Sequence, residues 1–147
     1  MNTHQFMQEY QRITQFERHA KIESAKFQKN NKGKLFEIKN GSVFTLIHFS
    51  LSNLEPFKPY TIALVVKDTE DNVIWQGTPP PFGYQKPLNP EEKIPMTLNL
   101  DFITGEIKEF KVQTILLRVL DSNPNKSGGV VQDTKELSLK LGGENGK

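Results

Sequence analysis

IPMTLNLDFITGE, residues 94 to 106, alternates with a period of two: Met96, Leu98, Leu100 and Phe102 fall on one parity, Thr97, Asn99 and Asp101 on the other. Successive side chains of an extended chain point to opposite faces, so the run reads as a strand with one buried and one wet face. A wet face belongs to antiparallel sheets, because parallel sheets are covered on both sides by their crossover helices.

The neighbouring segments obey the same period. Downstream, KVQTILLRVLD places Ile115, Leu117 and Val119 on a shared face, DSNPNKSGG breaks the chain, and VVQDTKELSLKLG returns with Leu137, Leu139 and Leu141 together. That is a hairpin. Upstream, YTIALVVKD carries Tyr60, Ile62, Leu64 and Val66 on one side; a polar turn over Asp68 to Asn72 then leads into VIWQG, a second hairpin. SVFTLIHFSLSNL, with Val43, Ile47, Phe49 and Leu51 in phase, reads as a central strand with one fully buried face.

Ala20 and Ile22 are out of phase with Ala25 and Phe27, which predicts a bulge near Ser24. A lysine-rich turn follows, then a short strand through Leu35, Phe36 and Ile38 that ends at the turn dipeptide Asn40-Gly41; these segments read as a further hairpin. Phe6, Tyr10 and Ile13 lie at i, i+4 and i+7 and predict a short amphipathic helix.

The expected fold is therefore all-β: an antiparallel two-sheet immunoglobulin-like β-sandwich of about seven to eight strands with a short N-terminal helix. Residues 1–17 form the helical extension, 18–141 the sandwich domain and 142–147 a flexible tail. The order of FTLIHFSLSNL, YTIALVVKDTEDNVIWQG, MTLNLDF and TILLRVLDSNPNKSGGVVQDTKELSLKL resembles uncharacterised bacterial domains of immunoglobulin-like or fibronectin type III-like fold, over residues 18–141. The resemblance implies a binding or spacing module.

Composition narrows the chemistry. The chain has 147 residues, enough for one core, and no cysteine, which removes disulfides, thiolate zinc sites and cysteine nucleophiles together. No run approaches the roughly 18 apolar residues of a membrane span, and the expected compartment is the cytoplasm. The net charge of +2 is uneven, since residues 1–41 carry eight Lys or Arg against four acids. Lys29, Lys32 and Lys34 form a candidate basic patch for an acidic partner, read first as a solubilising turn; nucleic acid is disfavoured, because Phe27 and Phe36 are expected to face inward.

His4, His19 and His48 are not spaced for a metal, and neither metal nor cofactor is expected. Asp68, Glu70, Asp71 and Asn72 are rich in oxygen, but Val73 and Pro79 stand where a calcium loop of the EF-hand type needs Gly and Glu. GxSxG, GxxxxGK and HExxH are absent, so no catalytic residue is assigned.

VIWQGTPPPFGYQKPLNP, residues 73–90, supplies the candidate binding residues Trp75, Phe82, Tyr84 and Gln85. Trp75 shares the parity of Val73 and reads as core, and Pro79 to Pro81 read as a connector between sheets. Phe82 and Tyr84 either pin that connector to the domain or form a partner-binding tip. The expected function is a non-enzymatic protein-interaction or assembly module of a bacterial or phage complex, with another protein or a second copy as partner. The alternatives are a small-ligand or carbohydrate-binding module and a hydrolase with a dispersed site.

Overall fold

The computed structural model describes residues 18–105, 107–119 and 129–141. The expected N-terminal helix and C-terminal tail lie outside them. Eight strands follow in order: β1 Lys21–Gln28, β2 Phe36–Lys39, β3 Ser42–Ser52, β4 Tyr60–Lys67, β5 Val73–Gly77, β6 Ile94–Ile103, β7 Glu109–Val119 and β8 Gly129–Lys140. All pairings are antiparallel, as the alternation of β6 requires. No helix long and apolar enough to cross a membrane occurs among the described residues.

The first sheet is built on β3. One edge of β3 is paired by β6 without interruption, from Ser42↔Ile103 to Leu51↔Ile94. The other edge is divided: β1 covers Leu46 to Ser52 and β2 covers Ser42 to Thr45. The expected first hairpin is thus corrected, because β1 and β2 pair β3 end to end and not each other. The Asn40-Gly41 signal acts one connection later. Lys39 faces Ser42, and the two loop residues have φ of 53° and 78°, the pair of positive values that a type I′ hairpin turn demands.

The second sheet has the order β5-β4-β7-β8. Both of its hairpins match the sequence reading. Bulges interrupt three strands, with Glu23 the extra residue in β1, Ile74 in β5 and Gln132 in β8. The first lies where the change of parity placed it.

Inward-facing side chains of both sheets form one core. Val43, Ile47, Phe49 and Leu51 from β3 and Tyr60, Ile62, Leu64 and Val66 from β4 are buried, in the phases expected. In β7 the phase is opposite to the reading: Phe110, Val112, Thr114 and Leu116 are buried, while Ile115, Leu117 and Val119 are half-buried. Thr114 explains the misreading. Its hydroxyl donates to the Lys135 carbonyl at 2.8 Å, so a polar side chain is satisfied inside the core.

The sheets meet at Phe110, whose ring stands edge-on to Phe102 of β6 at 4.9 Å and to Phe27 of β1 at 6.0 Å. At the opposite margin, side chains and not strand pairing join the sheets: Ala20 N donates to Gln132 Oε1 at 3.0 Å and Ile22 N to Asp133 Oδ2 at 2.8 Å. The bulge in β8 is what aims Gln132 inward. Phe110→Ala is expected to cost roughly 3–5 kcal/mol in chemical denaturation, whereas Val73→Ala at an exposed site is expected to stay within about 0.5 kcal/mol.

Candidate functional site

The crossing from β5 to β6 carries the chain from the second sheet to the first, as the proline run implied. It is fixed to β4. Thr61 Oγ1 donates to the Pro79 carbonyl at 2.8 Å, Tyr60 and Phe82 exchange main-chain hydrogen bonds of 2.8 and 2.7 Å, and Phe57 N donates to the Tyr84 carbonyl at 2.8 Å. The Phe82 ring stacks on Tyr60 at 6.3 Å, and Tyr84 stands edge-on to Phe82 at 6.5 Å. Of the two readings offered for these rings, the geometry shows pinning: both are half-buried against the core.

Trp75 is also half-buried, and its indole folds back over Gly77; a Cβ at residue 77 would sit 2.5 Å from the ring. Gln85 is exposed. Burial pushes the phenols of Tyr60 and Tyr84 above their ordinary range; for Tyr60, the hydrogen bond its oxygen accepts from Glu55 N at 2.8 Å partly offsets this.

Between the crossing and β6 lies a mostly apolar slot of 300 Å³. Pro79, Pro80 and Phe82 form one wall and Met96 and Leu98 the other. Met96 and Leu98 face the core, opposite Phe49 and Ile47, yet each remains half-buried where its partners are fully buried. The reason is position: no strand pairs with the far edge of β6 among the described residues, so the inner face is open there.

That edge differs from the others. Exposed strand edges invite pairing, and proteins blunt them with short strands, charges, prolines and bulges. β1 has a bulge and the charges Lys21, Glu23 and Lys26; β2 has four residues; β5 has five and a bulge; β8 has a bulge and Asp133, Lys135, Glu136 and Lys140. β6 runs ten residues in unbroken register with one charge, Asp101, and its single proline stands at the second position. The sequence reading assigned Met96 and Leu98 wholly to the core. Nothing in IPMTLNLDFI marked this strand as an edge: it lacks the charges that edges usually carry, while β7, paired on both sides, has Glu109, Lys111 and Arg118.

The basic residues serve a turn. Asn30 Oδ1 accepts from Lys32 N and Lys34 N at 2.9 and 3.0 Å, and Lys32 Nζ lies 3.1 Å from Glu37, which also meets Lys39 at 3.8 Å. The hydrogen bond from Lys32 is the main reason the Glu37 carboxyl is held below its usual range. Lys29 and Lys34 are exposed. Asp68 likewise works locally, accepting from Glu70 N and Asn72 N at 2.9 Å each. His48 bonds Thr97 Oγ1 across β3 and β6 at 3.1 Å. No cluster of three metal-ligating side chains occurs among the described residues.

No protein-family model matches the chain, and no curated protein matches its sequence. Among solved structures it is similar to a β-glucuronidase from glycoside hydrolase family 2, at 14% identity and a TM-score of 0.55 over 83% of this chain and 12% of that one. It is also similar to a glycosyl hydrolase family 2 member from Bacteroides cellulosilyticus, at 11% identity and a TM-score of 0.56 over 83% and 14%. The chain spans a small part of each, and at such identities the likeness is one of fold.

Two outcomes test the pinned crossing. A Cβ on Gly83 would approach the Lys58 carbonyl to 2.9 Å, so Gly83→Ala is expected to cost about 1–3 kcal/mol, against about 0.5 kcal/mol or less for Gln85→Ala, by thermal denaturation. A folded-state phenol pKa above the ordinary tyrosine value of 10.0 adds stability that is complete below about pH 10 and lost as pH rises through the folded value. Stability is therefore expected to fall above that pH, with a shallower fall in Tyr60→Phe, where Tyr84 alone contributes. At neutral pH the same variant should lose about 1–3 kcal/mol, because Glu55 N–H loses its acceptor.

Proposed function

We propose that this chain is a non-enzymatic interaction module that accepts an extended segment of a protein partner along β6. The observation that carries the reading is the ten-residue open edge, nearly uncharged and without a bulge, beside an apolar slot. A strand added there would gain main-chain hydrogen bonds, and alternate side chains would enter the slot against Met96 and Leu98. The partner segment is thus one with apolar residues at i and i+2.

The two antiparallel sheets are read as an immunoglobulin-like sandwich. In the two glycoside hydrolases a similar fold occupies 12% and 14% of the chain, which is in keeping with a part that works alongside others. Their names place hydrolysis on those whole proteins, of which this chain covers 12% and 14%. A cysteine-free sequence suits the cytoplasm.

The experiment is selection of extended peptides from a random library, with each binder mapped by amide chemical-shift changes on the intact protein. Binders are expected to perturb residues 94–103 and to be lost in the double variant Thr97→Lys, Ile103→Lys, which charges the edge from its exposed face. Binders that map elsewhere, or that bind the charged variant as well as the wild type, would sink the proposal. A homodimer that dissociates in the same variant would identify a second copy as the partner.

A further inference from the structure

A second concavity lies on the outer face of the first sheet, away from the core. It follows from the divided edge of β3. β1 ends where Gln28 meets Leu46 and β2 begins where Phe36 meets Thr45, so residues 29–35 leave the sheet at the seam and stand beside its face. This wall is fixed at both ends. Asn30 N donates to the Lys34 carbonyl at 2.8 Å and Gly33 N to the Asn30 carbonyl at 2.9 Å, while Thr45 Oγ1 ties the Leu35 carbonyl to β3 at 2.6 Å. The enclosed volume is 470 Å³, within the range of about 300–1,000 Å³ usual for small-molecule sites.

The floor has two rows set by register. Phe44 lies between Glu37 and Asp101, and Leu46 lies between Gln28 and Asn99. Phe44 is 40% exposed, an aromatic surface left open on a face where β-sheets commonly place polar side chains. Around it stand the amides of Gln28, Asn31 and Asn99, while the Asn30 oxygen is held by Lys32 N and Lys34 N. Each amide both donates and accepts, which is what a hydroxyl requires.

Charge disfavours an anion. The charged side chains that line the cavity are Lys34, Glu37 and Asp101, one cation against two carboxylates, and the neighbouring Lys32 and Lys39 are engaged with Glu37. A purely apolar ligand would strand the amides without partners. What fits is a neutral molecule with C–H patches for Phe44 and hydroxyls for the amides.

We propose that this face binds a neutral saccharide, with Phe44 as stacking platform and Asn99, Gln28 and Asn31 as hydroxyl partners. The site lies on the face of the sheet and not on the free edge of β6, and it does not rest on the peptide-binding reading. The test titrates the full chain, labelled for amide detection, with maltose, cellobiose, lactose and inorganic phosphate. Saturable shifts at Gln28, Asn31, Phe44 and Asn99 are expected with at least one disaccharide and none with phosphate.

Phe44→Ala should weaken that binding by about tenfold or more without lowering the melting temperature, and Asn99→Leu should weaken it while keeping side-chain volume. Phe44→Ala should still bind the peptides selected on the β6 edge as the wild type does, which separates the two sites. Absence of saturable shifts with all three sugars, shifts with phosphate instead, or undiminished affinity in Phe44→Ala would each overturn the inference.

Discussion

β3 has two edges and three partners. Main-chain hydrogen bonding along a strand is exclusive, since each N–H and carbonyl on one edge can serve one neighbour, so β1 and β2 must share an edge by length. Eleven residues make this feasible. Two consequences follow from the same constraint. The chain between β1 and β2 has to leave the sheet at the seam and builds a wall on its outer face. The opposite edge of β3 goes entirely to β6, beyond which no further strand pairs among the described residues.

The strands themselves were legible in the sequence because a half-buried strand writes its environment in every second residue. Val43, Ile47, Phe49 and Leu51 face the core as their spacing says, and so do Tyr60, Ile62, Leu64 and Val66. β7 shows the limit of that rule. Ile115, Leu117 and Val119 outweigh the buried set in hydrophobicity only if Thr114 is counted as polar, and its hydrogen bond to Lys135 cancels that count. Pairing was less legible. Asn40-Gly41 fixes a two-residue connection, but nothing local distinguishes a lysine-rich hairpin turn from a loop that spans a seam, because both are polar and both carry glycine.

The candidate site was legible in part. Prolines announced the crossing, and its aromatic residues Phe82 and Tyr84 are half-buried and packed on the core. The open surface lies across the slot, on a strand whose alternation is so regular that it reads as interior. Period measures which face is buried and is silent about which edge is paired. Charge pattern does not supply the missing information either: lysines and glutamates sit in the edge strands β1, β2 and β8 but also in the doubly paired β7, and the edge strand β6 has only Asp101.

The crossing runs beside this edge without pairing with it. Residues 79–82 line the slot beside β6 and are the segment best placed to pair with it. Pro79, Pro80 and Pro81 have no main-chain N–H, so half of any ladder on β6 would lack its donors. The carbonyl of Pro79 is committed to Thr61, and Phe82 spends its N–H and carbonyl on Tyr60, which together hold the segment against β4. A crossing of ordinary residues in the same place could have closed over β6 as an added strand and filled the slot. The proline run carries the chain between the two sheets without itself adding a strand to β6, whose outer main-chain groups are left to water.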